Sequence, residues 1–184
     1  MARLLLPFLA PLLLAACSNP PPPPAAPTSS PPAASSAPSP AITTRPPAEV
    51  ILADADAALP PASGRDHVGI TQAASEQQNQ PLALTEYRHW GWVEESSRTW
   101  SAGVLHLDES LLLLTRPEGA SLAFQSWAGG LPQRAACRAG LGLEECAEDP
   151  GELVGRVGRY TFRLSGPGVD LERLATIQAE RIRA

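Results

Sequence analysis

The stretch "GRYTFRL", residues 158–164, alternates apolar and polar side chains. A repeat of two residues places Tyr160, Phe162 and Leu164 on one face of an extended chain and the intervening polar side chains on the other. Aromatic residues in such an alternation are typical of a half-buried strand. We therefore predict a β-strand here, with the protein core on the side of Tyr160.

The residues that follow this strand predict a C-terminal helix. Asp170 is a favourable N-cap residue and Glu172 lies in the first turn, whereas arginines occupy the last turn, as the helix dipole prefers. The apolar stripe of this helix consists of Leu171, Leu174, Ala175 or Ile177, and Ile182. We expect the stripe to pack on the sheet rather than on a membrane or a partner helix.

Four further strands are predicted between residues 84 and 127, because aromatic and β-favouring residues recur there between turn signals. The segment "RPEG" places Pro117 and Gly119 at the second and fourth positions of a tight turn, and residues 94–97 form a second predicted turn. The four predicted strands are "LTEYRHWGWV" (84–93), "RTWSAGVLHL" (98–107), residues 111–115 and residues 120–127.

Together these elements predict an α+β domain with an antiparallel sheet of about five strands and a C-terminal α-helix. A small β-barrel with a terminal helix is the alternative architecture. Residues 49–59 fit either a strand or a short helix, and the polar residues 71–80 fit a loop or an exposed helical turn.

Composition divides the chain into three parts. Residues 1–16 are apolar, and residues 17–48 are dominated by proline, alanine and serine, with five consecutive prolines at 20–24. Such a linker has too few large apolar residues to offset its ordering entropy, so we expect it to be disordered and extended. At about 3.1 Å per residue it reaches on the order of 95 Å. Residues 49–184 are the predicted globular domain.

The N-terminal segment has the layout of a signal peptide, with Arg3 before an apolar run too short to span a bilayer. The residues Leu14-Ala15-Ala16-Cys17 resemble the lipobox of bacterial lipoproteins. The resemblance implies cleavage before Cys17, acylation of that residue and tethering to a membrane through the attached lipid. Ser18 in place of aspartate then implies the outer membrane, with the domain in the periplasm or at the cell surface. The other possibility is an ordinary secretory signal that leaves Cys17 free.

Three cysteines are an odd number for an exported protein, but an even number, two, remains once Cys17 is assigned to a lipid. Cys137 and Cys146 remain, and an oxidising compartment favours a disulfide between them. Their spacing does not match the close pairing of thioredoxin-like or zinc-binding motifs. We therefore predict a structural bond.

Charge and composition exclude several functions. The formal net charge is −5, which disfavours nucleic-acid binding. The chain has 14 arginines and no lysine, so no lysine can act as a Schiff-base or general-base residue. We find no sequence motif for a cofactor or a metal, and we expect neither.

No standard catalytic motif is present in the sequence. His89 and His106 would face each other only if the intervening chain turned at residues 97–98, and ordinary hairpin histidines are the favoured interpretation. An envelope hydrolase using His89, His106 and Asp108 is retained as an alternative function.

The four tryptophans, Trp90, Trp92, Trp100 and Trp127, all fall in predicted strands. Clustered tryptophans most often form core, but two or more exposed together would mark a binding face. The first hypothesis is a non-enzymatic envelope lipoprotein that holds a small binding or assembly domain for an envelope protein partner. A surface-exposed receptor or inhibitor that uses the Trp-bearing strands is a further alternative.

Overall fold

The computed structural model describes residues 44–184, and the predicted signal peptide, Cys17 and most of the predicted linker lie outside them. Within this range six helices and seven strands follow one another along the chain. In order they are α1 (Pro47–Val50), α2 (Asp54–Ala57), β1 (Pro61–Val68), α3 (Ile70–Ser75), α4 (Gln80–Trp90), β2 (Trp92–Ala102), β3 (Leu105–Leu114), α5 (Pro117–Gly129), β4 (Ala135–Ala136), β5 (Glu145–Asp149), β6 (Glu152–Val157), β7 (Tyr160–Ser165) and α6 (Leu171–Arg183).

The strands form one open antiparallel sheet in the order β1-β2-β3-β7-β6-β5-β4. The predicted α+β class, with an antiparallel sheet and a C-terminal helix, is confirmed. The sheet has seven strands rather than about five, and it does not close into the alternative barrel. It leaves β1 and the two-residue β4 as its edges.

Helices cover both faces of the sheet. On one face α1, α2 and α6 enclose the larger core, to which β7 contributes Tyr160, Phe162 and Leu164. On the other face α4 and α5 pack against Leu112 and Leu114 of β3. The predicted strand at 158–164 is thus confirmed, but it is covered on both sides: Thr161, on the second face, is buried and donates to the Ala120 carbonyl oxygen at 2.7 Å.

The C-terminal helix α6 forms as the sequence predicts. The Asp170 side chain accepts a hydrogen bond from the Arg173 amide at 3.0 Å, which caps the helix. Its buried stripe contains Ala175 rather than Ile177, and Gln178 is buried with it.

The predicted strand at residues 84–93 is wrong, because most of this segment is helix α4. Ala83, Tyr87 and Trp90 follow a spacing of four and three residues, so one helix face carries them into the core. Gly91 ends the helix with a φ of +76°, the left-handed conformation that favours glycine at this position. The predicted turn at 94–97 is also wrong, since β2 runs through it without a break.

The predicted strand at residues 120–127 is wrong as well. Helix α5 occupies this segment, and "RPEG" begins the helix instead of turning a hairpin. Pro117 at the first helical position and Glu118 in the first turn suit a helix N-terminus as well as they suit a turn. Residues 49–59 contain the end of the short helix α1 and the whole of α2, and α3 covers the first half of the segment 71–80.

Contacts with the domain begin before the predicted boundary at residue 49. The Arg45 amide donates to the Tyr160 hydroxyl at 2.8 Å, and that hydroxyl donates to the Arg45 carbonyl oxygen at 2.6 Å. Two hydrogen bonds therefore hold the C-terminal end of the Pro-rich segment against β7, the central strand of the sheet.

Gly119 allows α4 and α5 to approach closely, and Gly119→Ala should destabilise the domain. A Cβ at this position would lie 1.8 Å from the Trp90 carbonyl oxygen, a backbone atom that cannot move without shifting α4. We expect unfolding to become easier by about 2–3 kcal/mol, the usual scale of overpacking, as measured by urea denaturation. Gly129→Ala, in the same helix but with no atom within 4 Å of its added Cβ, is the control and should be neutral or slightly stabilising. Equal stability of the two variants would contradict this packing.

Candidate functional site

The candidate site is a cleft of about 160 Å³ between the sheet and the helical layer formed by α3, α4 and α5. Its lining combines aromatic rings with charged side chains of both signs. The lining residues are Arg65, Ala73, Glu76, Gln77, Tyr87, Trp92, Glu95, Ser110, Trp127 and Arg163. They come from seven elements or their ends, so only the folded chain assembles them.

Three aromatic side chains form the apolar part of this cleft. Tyr87 of α4 lies against Trp92 of β2, with ring centroids 4.5 Å apart and an interplanar angle of 32°. Trp127 of α5 completes the set, and all three are only partly buried. The Trp92 indole N–H donates to the Val68 carbonyl oxygen at 3.3 Å, which fixes the ring next to the opening.

Both arginines of the cleft are already paired with carboxylates. Arg65 forms an ion pair with Glu76, and Arg163 forms one with Glu152 of the neighbouring strand. Glu95 differs from these residues: among residues 44–184, no arginine or histidine lies within ion-pair distance of its carboxylate. The remaining carboxylate charge of the cleft is therefore centred on Glu95.

The electrostatic environment of the cleft follows from this arrangement. Burial raises the pKa of Glu95, and the Ser110 hydroxyl and Arg65 act in the opposite direction. The pKa of Tyr87 is also raised, first by burial and then by the carboxylates of Glu95, Glu86 and Glu76. Both shifts reflect a partly dehydrated site with negative charge around the tyrosine hydroxyl.

The four tryptophans do not form one exposed face, which was one of the two arrangements compatible with the sequence. Trp100 is fully buried in the core on the opposite side of the sheet. Trp90 is buried at the end of α4, and only Trp92 and Trp127 reach the cleft. Trp90 and Trp127 also lie in helices rather than in the predicted strands.

His89, His106 and Asp108 are not brought together. His106 pairs with Ser101 near the β2–β3 turn, while Trp92, three residues after His89, pairs with Leu114 at the other end of β3. The two ends of this ladder are roughly 27 Å apart, at about 3.4 Å per residue. The chain turns at residues 103–104 instead of 97–98, and this removes the geometry that the hydrolase alternative required.

Cys137 and Cys146 are joined by a disulfide, with their Cα atoms 5.6 Å apart. Within residues 44–184 no group of three or more histidine, cysteine or acidic side chains is placed to hold a metal ion. No helix in the same range is long and apolar enough to cross a bilayer. Cys17 lies outside the described residues.

Glu95 and Tyr87 are the site residues that the sequence did not single out. The sequence places Glu95 in the predicted turn at 94–97, and strict alternation puts it on the face opposite Trp92. The register of β2 shifts between Trp92 and Glu94, and this bulge brings Trp92 and Glu95 to the same face. Helical periodicity in residues 83–90 was the one signal that could have placed Tyr87 beside Trp90.

No known protein family, curated protein sequence or solved structure matches this chain.

Proposed function

We propose that this chain is a non-enzymatic lipoprotein of the bacterial cell envelope, which holds a small binding domain at the end of a Pro-rich tether. Cys17 carries the lipid, and Ser18 after it directs the protein to the outer membrane. The partner is a component of the envelope, and no cofactor is required. The domain is presented in the periplasm or at the cell surface.

The binding role is supported chiefly by the cleft. Trp92 and Trp127 remain partly accessible and line the cleft together with a carboxylate. Accessible aromatic rings beside a charged group are typical of binding sites, whereas a closed core buries its rings completely. The separation of His89 from His106 and Asp108 removes the one catalytic arrangement that the sequence offered. We therefore favour binding over hydrolysis.

The anchoring role is supported by the sequence alone. The four residues before and including Cys17 follow an apolar segment at the distance from Met1 that lipoprotein signals show. Two or more acyl chains hold a protein on a membrane stably, whereas one chain gives only marginal binding.

Cys17→Ala should release the protein from the membrane fraction. The variant lacks the thiol that takes the diacylglyceryl group, so metabolic labelling with a fatty acid should be lost as well. Fractionation of cells that express either form, followed by immunoblotting, measures this directly. Cys17→Ala leaves the predicted Cys137–Cys146 pair intact and so preserves the domain.

Ser18→Asp is the matched control, because it retains the acylated cysteine. This variant should remain in the membrane fraction and keep its label, and in a host that sorts lipoproteins by this position it should move to the inner membrane. A Cys17→Ala protein that stays membrane-bound and labelled would overturn the lipoprotein proposal.

A further inference from the structure

The cleft contains the two features that proteins combine to bind organic cations. Aromatic faces attract a cation through their negative quadrupole, and a partly desolvated carboxylate supplies the opposite charge. Tyr87, Trp92 and Trp127 provide the rings, and Glu95 provides the carboxylate. We propose that this cleft binds an alkylammonium group, a ligand class that rests on the binding role proposed above.

The charge pairing in the cleft favours a cation over an anion. An anionic ligand would need a free arginine, but Arg65 is engaged by Glu76 and Arg163 by Glu152. It would also meet the Glu95 carboxylate, which has no cationic partner in ion-pair contact among the described residues. A cation instead supplies the charge that Glu95 lacks.

The aromatic rings are not already occupied by a cation of the protein. Among residues 44–184 the cation–π contact present joins Arg134 to Phe124, at 6.0 Å, outside the cleft. Trp92 and Trp127 both line the cleft and are only partly buried, so an added cation there can reach ring surface that no arginine of the described residues covers. The hydrogen bond from the Trp92 indole to Val68 holds that ring in place, which lowers the entropy cost of binding.

The volume of the cleft limits the size of the group. At about 160 Å³ it is smaller than the roughly 300–1,000 Å³ of pockets that enclose drug-sized ligands. It can take a compact head such as a trimethylammonium or a primary ammonium group, while the remainder of a larger ligand stays outside. The cleft therefore recognises the terminal ammonium group of a larger ligand and does not enclose the whole molecule.

The test is a titration of the purified full-length protein with small probes. The NMR signals of the four tryptophan indole N–H groups are the readout at each step of the titration. The probes are choline and its uncharged analogue of the same shape, 3,3-dimethylbutan-1-ol, and n-butylammonium represents a primary amine such as a peptide lysine. Signals of Trp92 and Trp127 should shift with choline or n-butylammonium, and whichever probe binds more tightly identifies the kind of head group. The Trp100 signal should stay unchanged, because that indole is buried on the other face of the sheet and bonded to Asp54.

Glu95→Gln keeps the shape of the side chain and removes its charge. It should weaken binding of the preferred ammonium probe by about tenfold or more. Glu180→Gln, an exposed carboxylate of α6 on the other side of the sheet, should bind like the wild type. Trp127→Leu retains the carboxylate and loses one ring, so it provides a second variant if Glu95→Gln proves unstable, and it too should bind more weakly.

The proposal is overturned if neither ammonium probe shifts the cleft signals, or if the uncharged analogue binds as well as the preferred ammonium probe. Equal affinity of Glu95→Gln and Glu180→Gln would also overturn it. These results are independent of the Cys17→Ala fractionation, so loss of the ligand assignment would leave the lipoprotein proposal standing, and the reverse also holds.

Discussion

We expect Glu109→Gln to remove most of the pH dependence of stability between about pH 5 and pH 9, a range in which the wild-type domain loses several kcal/mol. Glu109 of β3 is buried, and burial raises its pKa to about 8 from an ordinary value of 4.5. One carboxylate oxygen accepts from the Leu52 amide at 3.1 Å, and the other has no hydrogen-bond partner. The folded state therefore favours the protonated acid.

The direction of the effect follows from proton linkage. Because the folded pKa of Glu109 lies above the unfolded value, the folded state binds more protons between the two values, and stability falls as the pH rises. The stabilisation is fully present below about pH 4.5 and is lost as the pH passes through about 8. A shift of this size corresponds to on the order of 4 kcal/mol.

The groups around Glu109 modify its titration without reversing it. The Leu52 hydrogen bond and the positive charges of Arg181 and Arg98 favour the carboxylate and lower the pKa, whereas Asp56 raises it. Burial exceeds their combined effect. A neutral amide at position 109 keeps an acceptor for the Leu52 amide and has no proton to lose.

Urea denaturation at several pH values measures this prediction. The wild type should lose stability on going from pH 5 to pH 9, while Glu109→Gln should change far less and be the more stable protein at pH 9. Asp108→Asn is the matched control, because Asp108 is exposed on the other face of the same strand and should leave the wild-type slope unchanged. Parallel curves for the wild type and Glu109→Gln would contradict the buried, protonated state.

We expect Trp100→Ala to destabilise the domain by about 3–5 kcal/mol, the range observed when a large buried aromatic side chain is truncated. Trp100 has no exposed surface and belongs to the core beneath α1, α2 and α6. Its indole N–H donates to the Asp54 carboxylate at 2.8 Å, so the substitution also removes a bond that holds α2 on the sheet. Small domains have only about 5–15 kcal/mol of total stability, and the variant should be close to unfolding at growth temperature.

Thermal and urea unfolding, monitored by far-UV circular dichroism, measure this loss. Trp100→Phe keeps a ring and loses the hydrogen bond, so it should fall between the wild type and Trp100→Ala. Val104→Ala, in the exposed turn after the same strand, should change stability by less than about 0.5 kcal/mol. A small effect of Trp100→Ala would show that the larger core does not depend on this side chain.

The last strand and the last helix could be predicted well, whereas the segments around residues 84–127 could not, and the strands β4, β5 and β6 were not predicted. "LTEYRHWGWV" and residues 120–127 contain aromatic and small residues that fit either period, so their local preference is weak. Tertiary packing decides the secondary structure of both segments. Helix α5 packs over the strands from β3 to β6, and Gly119 lets it approach the end of α4 closely. A strand in either place would leave that face of the sheet uncovered.

The candidate site was predicted only in part. The sequence places all four tryptophans in a possible binding set, but Trp100 and Trp90 belong to the core and only Trp92 and Trp127 line the cleft. Glu95 could not be found from alternation, because the bulge after Trp92 reverses which face the following residues occupy. A shift of one residue in register has no signature in the order of apolar and polar side chains.

The sequence by itself determined β7 and α6, since both patterns repeat over a whole element and the Asp170 cap lies next to the helix it starts. These signals are local, so the surrounding chain does not change their meaning. Tertiary packing selected helix over strand in two segments whose sequence fits both, and only the tertiary structure brings Tyr87, Glu95 and Trp127 into one cleft. Those features depend on contacts between residues far apart in the chain, whose free energies exceed the weak local preferences of the segments that make them.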